Sequence, residues 1–260
     1  MLERDGIKWN RNETILALDL YFRTPFGQIS KSNKNIQALA EMLGRTPSSV
    51  GLKMANLASC DPTLLASNRH GMANGSKLDK EIFKEYAEHL DQLAVDAELI
   101  RNEYQMLKAG KQDLEDKYFE QLPYGKDVER ETRQRVGQTF FRDAVLSAYD
   151  NRCCITEIDD SKLLIASHIK PWAESGETEK TDPRNGLCLN SLHDRCFDAG
   201  LMTLDEDYRV VLSNRLAKCD MDEQTKDWLF SYNGKQIHLP DRSLPRQDFL
   251  DYHRKEIFLG

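Results

Sequence analysis

The 260-residue sequence predicts an α+β protein in three parts. An N-terminal three-helix, helix-turn-helix-like domain spans 1–78, a long linking helix spans 79–125, and a domain of short strands and helices spans 126–260. Three observations carry this reading. Apolar residues recur at helical spacing three times in the first segment, with caps and breakers between them. Residues 79–120 hold no proline and keep apolar positions four and three apart. Beyond residue 150, β-branched runs alternate with turn clusters.

The first helix carries Ile15, Leu16, Leu18, Leu20 and Tyr21 and follows Asn10 and Asn12, either of which suits its N-cap. Pro25, Gly27 and a polar stretch break it. A second helix places Ile36, Leu39, Ala40 and Leu43 on one face and ends at Gly44. The third opens on Thr46 as N-cap with Pro47 at the first helical position and continues through Val50, Leu52, Met54 and Leu57. Two helices across a tight glycine turn form a helix-turn-helix, whose second helix suits a DNA major groove.

In the linking segment Tyr86, Leu90, Leu93, Ala97, Ile100, Tyr104, Leu107, Leu114 and Tyr118 fit one heptad seam, with Lys111 as its charged member. A repeat of this length predicts a coiled coil and self-association into a homodimer, the alternative being a helix packed on its own chain. Pro123 and Gly125 mark the next boundary.

The C-terminal part starts with a helix around Arg133–Tyr149. CCITEID and LLIASHIKPW then read as short strands, Asp182 to Gly186 as a turn, NGLCLN as a second strand and SLHDRCFD as a short helix. Strand-like runs around Leu201–Leu204 and Arg209–Leu212 precede a helical tail ending DFLDYHRKEIF.

Composition narrows the function. With 40% hydrophobic and 30% charged residues, the chain is too apolar for a disordered protein and too polar for a membrane one. No apolar run approaches the roughly 20 residues of a transmembrane helix, and the N-terminus lacks a signal-peptide core, so a cytoplasmic location without a membrane partner is expected. The net charge of −7 argues against nonspecific coating of nucleic acid, but it is unevenly spread. Residues 1–78 carry ten basic against six acidic residues, and 79–120 carry six against twelve. Cys60, Cys153, Cys154, Cys188, Cys196 and Cys219 are too few and too irregular for a disulfide framework, and no CxxC knuckle suggests structural zinc. Buried thiols are the expected state.

Trp9 and Glu13, with LAEMLGRTPSSV across the turn, resemble a Myb/SANT-type domain. That resemblance implies DNA binding by Arg45, Ser48, Ser49, Lys53 and Asn56 around the groove-facing helix, lysine taking phosphate and asparagine a base edge. An ordinary helical bundle carries the same pattern.

The strand-loop-strand-helix unit puts His168 at the end of its first strand, Asn185 at the start of the second and His193 on the helix. With QTFFRDAVLSAYDNRCCIT, ASHIKPW, NGLCLN, FDAGL and the DFLDYHRKEIF tail, residues from about 134 onward resemble HNH endonucleases, the ββα-metal fingers of bacterial restriction and phage-defence proteins. The resemblance implies a DNA endonuclease leaving 5′-phosphate and 3′-hydroxyl ends, with a defence-system partner protein as a further expectation. It casts His168 as general base, a role suited to an imidazole with a free pKa of about 6.5. It also casts Asn185 as the loop brace and His193 as a metal ligand, with Mg²⁺ (or Mn²⁺) as cofactor. One departure stands out: Ser167 occupies the position before the base, where many HNH enzymes carry an acidic ligand. Another carboxylate must then complete the metal shell, Asp198 being the first candidate and Asp160 the second. Glu157 stands where the subfamily usually has glycine. A noncatalytic DNA-binding protein with a decayed finger and an RNA-cleaving toxin are the competing readings.

Overall fold

The computed structural model describes residues 7–66, 71–72, 75–108 and 126–260. Asn10 rather than Asn12 caps α1 (Arg11–Phe22). Its side chain accepts the Glu13 N–H while the Glu13 carboxylate takes the Asn10 N–H. Residues Glu13 to Phe22 are all buried, so α1 is a central helix and not an amphipathic wall. α2 (Lys34–Leu43) stops at Gly44, whose φ of 66° lies in the left-handed region that glycine enters without strain. α3 (Pro47–Ala58) begins as expected, with the Thr46 hydroxyl accepting the Ser49 N–H.

The cations expected on a DNA-facing surface are committed inside the bundle. Arg45 is 4% exposed, pairs with Glu13 at 2.8 Å, donates to the carbonyls of Ile7 and Lys8, and stacks on Trp9. Lys53 is 6% exposed and bonds Asp79 at 2.5 Å with its ammonium over the same ring. Trp9 is therefore a cation platform that ties the chain start to α3, and neither Arg45 nor Lys53 is presented to a phosphate. Ser48 is exposed, and Ser49 and Asn56 are half-buried.

The expected single linking helix is two helices among the described residues. After α4 (Pro62–Ala66), α5 (Lys77–Tyr86) ends in a turn at residues 87–89, and α6 (Leu90–Lys108) restarts beyond it. The described part of the seam packs inside the chain. Leu90, Leu93, Ala97 and Ile100 are buried in the same core as α1, so this stretch of the expected dimer surface is covered by the protein itself. Lys111, Leu114 and Tyr118 lie outside the described residues.

α7 (Lys126–Ala148) serves two cores from neighbouring positions. Phe140 and Ala144 pack with α1 to α6, whereas Phe141 and Val145 pack with the C-terminal elements. There β1 (Leu164–His168) pairs antiparallel with β2 (Gly186–Asn190), Leu164 opposite Asn190 and His168 opposite Gly186. α8 (Ser191–Asp198) follows directly, and β3 (Met202–Leu204) pairs with β4 (Val210–Leu212). CCITEID forms turns in place of the expected strand, and Glu157 adopts a φ of 59°, a left-handed conformation that explains why glycine suits this position. α9 (Asn214–Ala217), α10 (Glu223–Phe230) and α11 (Gln247–Tyr252) lead to a π-helical turn, His253–Ile257.

Arg242 joins the two cores. It is 1% exposed, donates to the carbonyls of Phe22 and Thr24 and to the Ser147 hydroxyl, and lies over the Tyr21 ring, whose hydroxyl bonds Asp61. No described helix is long and apolar enough to cross a membrane.

Candidate active site

The connection between β1 and β2 is organised by one side chain. Asn185 is fully buried at the end of a 3₁₀ turn, Pro183–Asn185, which Asp182 caps by accepting the Arg184 N–H. Its Oδ1 accepts the Lys170 N–H at 2.8 Å, and its Nδ2 donates to the carbonyls of Lys170 and Glu179 and to Ser175 Oγ. One amide thus pins three separated points of the connection. Lys170 Nζ closes the same loop on Glu179 at 2.7 Å, holding that carboxyl below its usual range. Gly186 follows because α7 passes so close. A Cβ there would meet Val145 Cγ2 at 2.4 Å and Phe141 at 2.9 Å.

His168 is half-buried at the C-terminal end of β1, where the loop departs. Its ring stacks on Phe141 at 3.7 Å and meets the edge of Trp172 at 5.6 Å, so Trp172 packs the loop as its place after Pro171 suggests. Nε2 lies 3.1 Å from the Lys180 carbonyl. A carbonyl only accepts, so the neutral ring carries its hydrogen on Nε2 and its lone pair on Nδ1. Burial lowers the His168 pKa against a smaller opposing effect of that carbonyl, which favours the neutral ring near pH 7.

His193 sits elsewhere. It is fully buried on the core side of α8, against Trp228 at 5.2 Å and the edge of Tyr232 at 5.3 Å. Asn190 Nδ2 lies 2.9 Å from its Nδ1, and Nε2 is buried without a hydrogen-bond partner. Burial pushes its pKa down to about 4.

The neighbouring face of α8 carries Asp194, half-buried, and Asp198, at the exposed rim. Burial raises both carboxyls, and Asp194 raises Asp198 further. Ser167 is 3% exposed. Its Oγ is close enough to favour the ionised form of Asp194, yet not in hydrogen-bonding geometry with it or with any other group. Sequence reasoning reached Ser167 and Asp198 and missed Asp194, although its position one helical turn before Asp198 was there to read. Asp160 only turns its own loop, accepting the Lys162 N–H.

No three His, Cys, Asp or Glu side chains among the described residues cluster as a ready ligand set. Cys153, Cys154, Cys188 and Cys196 are buried free thiols, with Cys188 pushed up to about 12 by burial. His253 is held by Thr203 and the Phe197 carbonyl.

A family model described as HNH endonuclease matches residues 153–205. No curated protein matches the chain.

Proposed function

From the match of residues 153–205 to the HNH endonuclease family model, we propose that the protein is a metal-dependent DNA endonuclease in which His168 is the general base. The observation that carries this reading is the pairing of a base fixed in one tautomer with a loop pinned by Asn185. Nδ1 of His168 takes the proton from the attacking water, and Nε2–H stays on the Lys180 carbonyl, so the ring does not rotate as charge develops on it. Phe141 and Trp172 fix the ring plane and limit its hydration. Asn185 works through the loop, because each of its bonds ends on the backbone or on Ser175 and none ends on His168.

The residues present fit a divalent cation. Ser167 Oγ is a buried oxygen without a partner, and Asp194 beside it and Asp198 supply carboxylate oxygens, the donor type that Mg²⁺ and Mn²⁺ prefer. Such a cation, when bound, offsets charge on the phosphate and leaving oxygen. The products expected are 5′-phosphate and 3′-hydroxyl ends. A role in restriction or phage defence rests on the resemblance of the motif set alone. With Arg45 and Lys53 inside the bundle, α3 offers Ser48, Ser49 and Asn56 for any contact with DNA.

Supercoiled plasmid incubated with Mg²⁺ or Mn²⁺ tests the proposal. Wild type nicks or cuts the plasmid, EDTA stops it, and His168→Ala slows it by about 100-fold or more. Equal cutting by His168→Ala removes the base from the mechanism. Binding without cutting by the wild type favours the decayed-finger reading, and cutting of RNA alone favours the toxin.

A further inference from the structure

The motif histidine on α8 and the acids on its neighbouring face make competing claims on the cation, and the hydrogen-bond pattern separates them. Asn190 caps α8, with Oδ1 accepting the backbone N–H groups of Leu192 at 3.1 Å and His193 at 3.0 Å. That fixes which end of the amide faces the ring, so it is the Nδ2 amino group that lies 2.9 Å from His193 Nδ1. An amino group only donates; Nδ1 therefore holds the lone pair and the neutral ring has its hydrogen on Nε2. A nitrogen bearing hydrogen has no lone pair for a metal. The ring is also fully buried beside Trp228 and Tyr232. Ligation through Nε2 would require reversal of the Asn190 amide, which would set its amino group against the two N–H groups that it caps.

The acids show the opposite character. Glu13, Asp19, Asp79 and Asp182 each have an arginine or lysine within ion-pair distance. Asp194 and Asp198 have no such ion pair among the described residues; burial raises both, Asp194 raises Asp198 further, and the neighbouring Arg195 opposes this only in part. Carboxylates at i and i+4 of a helix stand about 5–6 Å apart at Cβ, a spacing that one cation can bridge. The Ser167 hydroxyl, buried and without a hydrogen bond, supplies a third oxygen beside Asp194.

We infer that the divalent cation is held by Asp194 and Asp198 with the Ser167 hydroxyl, and that His193 is a positioning residue that braces Asn190 and the start of α8. Two negative charges would match the ion, and carboxylate and hydroxyl oxygens are the donor type it prefers. Ser167, in the position where related enzymes carry an acid, is compensated by Asp194 on the facing helix. The inference rests on the endonuclease reading, but its test does not depend on cleavage.

The test is titration of the full chain with Mn²⁺, following the free-ion signal by electron paramagnetic resonance, with thermal melting as the control for folding. Wild type binds Mn²⁺ and is stabilised by it. Asp194→Asn and Asp198→Asn, near-isosteric and away from the core, each weaken binding by about 10-fold or more and lose most of the metal-induced rise in Tm. His193→Gln, if it folds, binds within about threefold of wild type. Should it fail to fold, the two aspartate variants decide alone. Unchanged affinity in both aspartate variants, loss of binding in a folded His193→Gln, or no binding by wild type at millimolar Mn²⁺ overturns the assignment. His168→Ala binds Mn²⁺ as wild type does, so failure of the general-base reading and failure of the metal assignment give different results.

Discussion

Three histidines of the C-terminal part occupy two physical states. His168 is half-buried with one nitrogen free, whereas His193 and His253 are buried neutral rings pushed down to about 4. The two deep rings make stability depend on pH. In the unfolded chain each takes up a proton as pH falls through about 6.5, and in the folded chain not until about 4. The unfolded state therefore binds more protons in that window, and stability falls as pH drops through it. Each ring contributes a slope of up to about 1.4 kcal/mol per pH unit. Urea unfolding at pH 7.0, 5.5 and 4.5 measures this, and His253→Gln reduces the slope by one proton's share. An unchanged slope in that variant refutes the assignment to His253. The glycines of the motif are read at the same scale. Gly186 is required by the approach of α7, and Gly200, with φ of 69°, by the Ile257 carbonyl only 2.1 Å from where a Cβ would stand. NG and FDAG are visible as residue patterns, but the neighbours that demand a missing side chain come from 41 to 57 positions away along the chain.

Elements whose signals are local were legible. Thr46-Pro47, Gly44 and the apolar face of α2 act within one or two helical turns, and the structure follows them. The heptad seam illustrates the limit of such signals. Periodicity reports that one face of a helix is buried, and it does not report what covers that face. Here α1, buried on every side from Glu13 to Phe22, covers it, because a helix with no solvent-facing side must itself be surrounded. Leu93, fully buried, is the position to test. Leu93→Ala lowers the unfolding free energy of the full chain by about 2–5 kcal/mol and leaves its sedimentation coefficient unchanged. A shift of mass in that variant, at a concentration where it remains folded, would restore an intermolecular role to the seam.

At the scale of the whole molecule, the N-terminal helical part and the C-terminal part are bound together by α7 and by Arg242. The arginine donates to the last carbonyl of α1 and to the Thr24 carbonyl just beyond it, from a segment more than 200 residues away. Among the described residues no carboxylate pairs with it. Its charge rests on two carbonyls, a hydroxyl and the Tyr21 ring. Arg242→Ala removes the side-chain donor of the Thr24 carbonyl and a packed side chain from the junction, while Ser147 still serves the Phe22 carbonyl, and an unfolding loss of about 3–5 kcal/mol is expected from chemical denaturation. A loss below about 1 kcal/mol would show that the two parts hold together without it. This junction also relocates charge. The basic excess of residues 1–78 looked available for DNA, yet Arg45 and Lys53 neutralise Glu13 and Asp79 inside the bundle.

By itself, the sequence determined the α+β class, the helix-turn-helix pair, the strand-loop-strand-helix order and the HNH motif, because caps, turns and motif spacings are set by residues close together along the chain. Tertiary structure alone decided which charged groups are spent on one another, which face of α8 points outward, and what covers the seam. Those outcomes depend on partners such as Glu13 for Arg45, Asp79 for Lys53 and Phe22 for Arg242, and contacts between distant residues leave no periodic trace in the sequence that makes them.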